Sequence, residues 1–234
     1  MKIGLFTDTH YCNVEKLGSR QPSLSLKKIE IAMDDFKKEG VDMVVCLGDL
    51  VDCPDGYTGD KTFCDLRKAL GLIRSYNIPF YMVPGNHDYI GLKGNDFERE
   101  GIKIPPYVVE NGYFRFIFLD ANYRSNMVRY DIAGVEWTDS NLPSEQVEFL
   151  KSSLITEKSC IVLVHENLDP TLRADHVIKN ASEIREIIKN AGNVKMVLQG
   201  HFHGGNETTI DNIPYITVPA MCEGESIPFK IIEL

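Results

Sequence analysis

Two kinds of hydrophobic pattern alternate along the first half of the chain. "KIGLFTD", "VDMVVCLGD" and "PFYMVPGNHD" are short, nearly continuous apolar runs that end at an acid or at an Asn-His pair. Runs of that length read as strands buried on both faces. Between them lie two helical patterns. "LSLKKIEIAMDDFKKEG" places Leu26, Ile29, Ala32, Met33 and Phe36 on one face and stops at Gly40, and "TFCDLRKALGLIRSYN" repeats the spacing. The order β-α-β-α-β predicts a parallel sheet covered by helices. The second half adds strands at "YFRFIFLDA", "CIVLVHEN", "VKMVLQGHFHGG" and "PFKIIEL", helices at "SEQVEFLKSSL" and "ASEIREIIKNAG", and a hairpin in "ETTIDNIPYITVPA" turning at Asp211-Asn212. Two mixed sheets packed face to face, with helices outside, fit this order. Neither an internal repeat nor a low-complexity linker interrupts it, so residues 1–234 are expected to form one domain.

Five of the apolar strands end in a loop that carries His, Asp or Asn. The residues are Asp8 and His10, Asp49, Asn86 and His87, His165, and His201 and His203. Five of the six histidines sit at such loop starts; His176 does not, and reads as a surface residue. Ligands of α/β sheets bind at the carboxyl ends of strands, and imidazole with carboxylate oxygen is the usual ligand set for Zn, Mn and Fe. In Asp8-x-His10 and His201-x-His203 the strand period of two predicts that both side chains point the same way. Buried Asp, Asn and His after apolar strands also need partners.

Composition narrows the functions. The net charge of −9 and pI near 5.2 argue against a basic nucleic-acid patch. An acidic protein that handles phosphate must supply positive charge locally, and a metal does so. The longest apolar runs fall short of the roughly 20 residues of a membrane helix, and "MKIGLFTDTH" is too short to be a targeting core. A cytoplasmic location is expected, with Cys12, Cys46, Cys53, Cys64, Cys160 and Cys222 reduced. Oligomeric state leaves no signal in the sequence.

"DTH", "GDLVD", "GNHD", "VHEN" and "GHFH", in that order from residue 8 to 203, resemble the five motifs of the calcineurin-like metallophosphoesterase superfamily. The resemblance implies a four-layer α/β/β/α sandwich and two divalent ions, Mn, Fe or Zn. Carried over, it implies one ion on Asp8, His10, Asp49 and His203, and another on Asp49, Asn86, His165 and His201. His87 would stay off the metals as the catalytic residue at the scissile phosphate. The implied reaction is hydrolysis of a small phosphodiester or nucleotide pyrophosphate, by attack of a water activated between the ions. A phosphomonoesterase and a degenerate metal-binding scaffold are the alternatives.

"GDLVDCP" and "GNHD" depart from the GDxVDRG and GNHE of the protein-phosphatase branch, and resemble instead the cyclic-nucleotide phosphodiesterase and nucleoside-diphosphate hydrolase branches. His10 stands where ADP-ribose/CDP-alcohol diphosphatases commonly carry Gln. Asp52 is a candidate partner for a ligand histidine, and Asp88 either orients His87 or serves as a turn residue. The stretches 11–24, 89–112 and 121–141 are expected to be long loops walling a small-substrate cleft. Tyr89, Asn122, Tyr123, Arg124 and Arg129 are candidates there, the two arginines for a second phosphate and Trp137 for a base.

Overall fold

The computed structural model describes residues 1–234. The first half runs β1 (Lys2–Phe6), α1 (Ser25–Glu39), β2 (Met43–Cys46), α2 (Gly59–Arg74), β3 (Phe80–Met82), α3 (Asp88–Gly91), α4 (Gly94–Arg99), β4 (Tyr107–Asn111) and β5 (Phe114–Phe118). The second runs α5 (Tyr130–Ala133), α6 (Ser144–Ser153), β6 (Ser159–Leu163), α7 (Ala181–Ala191), β7 (Val194–Gln199), β8 (Asn206–Ile210), β9 (Ile213–Thr217) and β10 (Lys230–Glu233). One sheet has the order β10-β1-β2-β3 and the other β4-β5-β6-β7-β9-β8. Strands β1 to β3 are parallel, as are β5, β6, β7 and β9; β10, β4 and β8 pair antiparallel at the edges.

The period of two along each strand sorts its apolar residues into separate layers. Ile3, Leu5, Met43 and Val45 of the first sheet pack against Phe116, Phe118, Ile161 and Leu163 of the second. Their neighbours Phe6, Val44 and Cys46 face the other way, onto Ile29, Met33 and Phe36 of α1 and Leu66, Leu70 and Ile73 of α2. Across the molecule Ile117, Val162 and Val197 face Val147 and Leu150 of α6 and Ile184 and Ile188 of α7. The result is the expected α/β/β/α sandwich of two mixed sheets. The hairpin turns where expected, with Asp211 at φ 51° and Asn212 at φ 64°, the left-handed pair that a tight hairpin needs. No helix is long and apolar enough to cross a membrane.

The expected loops are more ordered than their composition implied. Residues 89–112 contain most of α3, all of α4, and β4, which pairs with β5. The stretch 121–141 holds α5, and 11–24 a single 3₁₀ turn at Pro22–Leu24. The Gly112-Tyr113 pair, with Gly112 at φ 57°, closes the β4–β5 hairpin beyond the paired Asn111 and Phe114.

Candidate metal centre

The parallel strands deliver the five motif loops to one place. Asp8 and His10 follow β1, Asp49 follows β2, and Asn86 and His87 follow β3; His165 follows β6, and His201 and His203 follow β7. Strand alternation does not aim them. Asp8, His10, Asp49 and His201 have φ of 49°, 47°, 51° and 66°, a left-handed backbone outside the strands. For residues with a Cβ that conformation is costly and clusters at functional sites. Close packing between loops holds it in place. A Cβ on Gly85 would lie 2.2 Å from Asp49 Oδ1, and one on Gly200 would lie 2.9 Å from Asp8 Oδ2.

The ligand-type atoms converge in three overlapping groups, His10, His203 and Cys222, then His10, Asp49 and His87, then Asp8, Asp49 and His165. His10 Nε2 and His203 Nε2 are 3.2 Å apart, and Asp8 Oδ1 lies 3.8 Å and 3.6 Å from them. Two imidazole nitrogens on one tetrahedral ion, each at about 2.0–2.1 Å, would be about 3.3 Å apart. Asp49 is shared by two of these groups, its Oδ2 lying 3.5 Å from His10 Nε2 and 3.4 Å from His165 Nε2. Its other oxygen accepts a 2.7 Å hydrogen bond from the His87 amide.

Proton placement also favours a cation. His10 Nδ1 lies 3.3 Å from Asp52, His203 Nδ1 2.7 Å from Glu223, and His165 Nδ1 2.7 Å from the Leu47 carbonyl. At His165 and His203 these acceptors assign the proton to Nδ1 and leave the Nε2 lone pair facing the centre, whereas at His10 the Arg20 guanidinium, 2.8 Å from Nδ1, competes with Asp52 for that atom. Eight buried side-chain atoms in the chain lack a hydrogen-bond partner, and four of them are Asp8 Oδ1, Asn86 Oδ1, His165 Nε2 and His201 Nε2. Buried polar atoms rarely go unpaired, so this concentration fits a site whose partner is a metal.

Without a cation, the buried carboxylates draw protons onto His10 and His165 instead, and a bound ion would displace them. Burial pushes the Asp8 carboxyl up, but His10, His165 and His203 outweigh it and hold it at about 2. Burial opposes a charge on His10, yet Asp49, Asp52 and Asp8 raise it to about 9. Burial and the neighbouring His165 push His201 down to about 3, so its ring is a neutral donor. Glu166, fully buried beside His165, is pushed up to about 8 by burial, which keeps a further negative charge off that side.

The calcineurin-like phosphoesterase family matches residues 1–205. The chain belongs to that family. It is a metal-dependent phosphohydrolase, of a family that uses divalent metals. This phosphoesterase is 24% identical to the 3′,5′-cyclic adenosine monophosphate phosphodiesterase CpdA of Haemophilus influenzae, over 95% of this chain and 77% of that one. It is 22% identical to a 3′,5′-cyclic-nucleotide phosphodiesterase of Nostoc, over 99% of this chain and 83% of that one. A dimetal phosphatase from Danio rerio shares its fold at a TM-score of 0.78 and 17% identity, over 100% of this chain and 92% of that one.

Around the centre, the phosphoesterase places several residues differently from expectation. Asp52 does meet a ligand-type histidine, and also accepts from His87 Nδ1 at 2.9 Å. Asp88 does not touch His87; its carboxylate accepts from the amides of Val51 and Gly85, tying two motif loops together. Arg129 is held by Asp131 and lies over the Tyr89 ring, while Arg124 donates to the Gly134 carbonyl, so neither lines the cleft. Tyr89 and Asn122 are buried around Asp120, away from the cleft wall. His176, expected on the surface, lines the cleft together with Trp137 and Arg173. Arg20 donates to Asp52 at 2.7 Å beside His10 and His87. Arg20, Arg173, Glu223 and Cys222, whose Sγ lies 3.9 Å from His203 Nδ1, carried no motif.

Proposed function

We propose that Asp8, His10, Asp49 and His203 hold one divalent ion, that Asp49, Asn86, His165 and His201 hold a second, and that the centre hydrolyses a small nucleotide-like phosphodiester. The observation that carries this reading is the position of Asp49 Oδ2, about equally far from His10 Nε2 and His165 Nε2 at 3.5 Å and 3.4 Å. When bound, such ions supply Lewis acidity and lower the pKa of water from about 15.7 toward about 7. The mixed nitrogen and oxygen donors suit Mn, Fe or Zn. Residues 1–234 act as one domain in this reading, because ligands from both halves of the chain complete each cage.

His87 is the catalytic residue. Its Nδ1 is fixed by Asp52, and its side chain is 26% exposed on the cleft wall. That arrangement leaves Nε2 to give a proton to the leaving oxygen, a contribution worth typically ~10² to 10⁴-fold. Arg20 keeps Asp52 in place between the two rings. The cleft, about 350 Å³, lies at the low end of the ~300–1,000 Å³ typical of small-molecule pockets. That size supports a small substrate, as do the relatives named for cyclic-nucleotide hydrolysis.

The test is turnover of bis(p-nitrophenyl) phosphate, cyclic nucleotides, nucleotide pyrophosphates and p-nitrophenyl phosphate with added Mn²⁺, Fe²⁺ or Zn²⁺. Diester cleavage ahead of the monoester is expected. Preferred cleavage of the monoester would replace the diester reading with a phosphomonoesterase, and no turnover with any metal would overturn the hydrolytic assignment.

A further inference from the structure

The cleft has a second wall that the metal centre does not use. Trp137, from the loop between α5 and α6, and His176, from the loop between β6 and α7, have ring centroids 5.2 Å apart at 65°. His176 continues the wall to Phe202, at 5.3 Å and 86°. Both Trp137 and His176 abut His201, at 5.9 Å and 5.3 Å, so the wall adjoins one of the residues proposed to hold the second ion. All of these rings line the same cleft.

These rings are built in place rather than scattered. His176 Nδ1 is 2.7 Å from Asp175 Oδ1, and the same carboxylate pairs with Arg173, whose side chain is 72% exposed at the rim. One acid thereby fixes both an imidazole and a guanidinium on the cleft. Trp137 is the chain's only tryptophan and remains 38% exposed. It therefore offers accessible aromatic surface in the cleft beside the proposed metal centre. Aromatic faces that stack a base contribute about 1–3 kcal/mol per base and tolerate any base identity.

We infer that Trp137, supported edge-on by His176 with Phe202 behind it, forms the platform on which the nucleobase of the substrate stacks, with Arg173 at its rim for an anionic group. The inference rests on the reading of the metal centre given above and names its substrate class, a phosphate ester carrying a purine or pyrimidine.

The single tryptophan makes the test direct. Mn²⁺-loaded protein is titrated with AMP and, separately, with ribose 5-phosphate, which has the same sugar phosphate but no base. Saturable quenching of Trp137 fluorescence by AMP alone is expected. The stacking energy converts to a roughly 5- to 150-fold weaker Kd for AMP in Trp137→Ala and a smaller loss in His176→Ala, both read by calorimetry, with Trp137→Phe restoring most of the affinity. No quenching by AMP, equal quenching by both compounds, or unchanged AMP affinity in Trp137→Ala overturns the platform. Turnover of bis(p-nitrophenyl) phosphate by the wild-type protein is measured alongside. Its absence while AMP still quenches sinks the hydrolytic reading and leaves the platform standing. Turnover without quenching sinks the platform alone.

Discussion

Gly85→Ala is a one-carbon change aimed at the centre. The added Cβ would lie 2.2 Å from Asp49 Oδ1 and 2.5 Å from the Asp49 amide nitrogen, whereas ordinary contact begins at 3.4 Å. Asp49 must therefore retreat by about 1.2 Å, and because its backbone is also too close, rotating the carboxylate cannot relieve the overlap. Metal–ligand distances tolerate about ±0.2 Å, so the retreat removes Asp49 from both ions. Overpacking of this kind costs about 1–3 kcal/mol, or a melting point lower by roughly 2–12 °C for a chain of this size. Misplacing catalytic geometry by about 1 Å costs on the order of 10²-fold in rate. Elemental analysis, thermal melting and bis(p-nitrophenyl) phosphate turnover read the three effects. Gly71→Ala is the control: that glycine sits inside α2 with nothing within 4 Å of an added Cβ, and it should hold or gain stability. Two bound ions and near wild-type turnover in Gly85→Ala would refute the reasoning.

His87→Ala should keep full metal content and lose about 10² to 10⁴-fold in turnover; a parallel loss of metal would make His87 a ligand instead. Asp49→Asn should lower the content of both ions together, seen by the same elemental analysis, whereas loss of one ion alone would remove Asp49 from its bridging position. Glu223→Gln takes a charged acceptor from His203 Nδ1, 2.7 Å away, and should weaken metal binding about 10- to 100-fold in a competition titration with a chelator. Stripping the ions should lower the melting point by roughly 5–10 °C, since a ligand at 100 times its Kd stabilises by about 2.7 kcal/mol. A melting point unmoved by chelation would mean that the native centre holds no tightly bound ion.

The strands and the gathering of the motif residues were legible because short apolar runs mark strand ends and few side-chain types suit ligation. Asp49 after "VVCLG" and His165 after "CIVLV" needed nothing more. The aim of the side chains was not legible. Alternation appeared sufficient for Asp8 and His10, yet both turn through left-handed backbone stabilised by loops distant in sequence. Partners such as Glu223 for His203, or Arg20 for Asp52, are chosen by packing across the sheets, and a lone Glu or Arg looks like any solvated charge. His176 was misplaced for the same reason. The β4 strand was overlooked although Gly112 sits at its turn, because the surrounding polar residues suggested a loop.

Asp49 and His165 belong to opposite halves of the chain, yet their ligand atoms lie 3.4 Å apart. During synthesis at about 5–20 residues per second, His165 follows His87 by roughly 4–16 s. Throughout that interval Asp8, His10, Asp49 and Asn86 are present while each proposed cage lacks the imidazoles that complete it. The half-made chain can attract a cation to its carboxylates but cannot enclose one. In that reading ion capture comes after the second sheet has docked on the first, and a bound metal would mark a chain whose two halves have found each other.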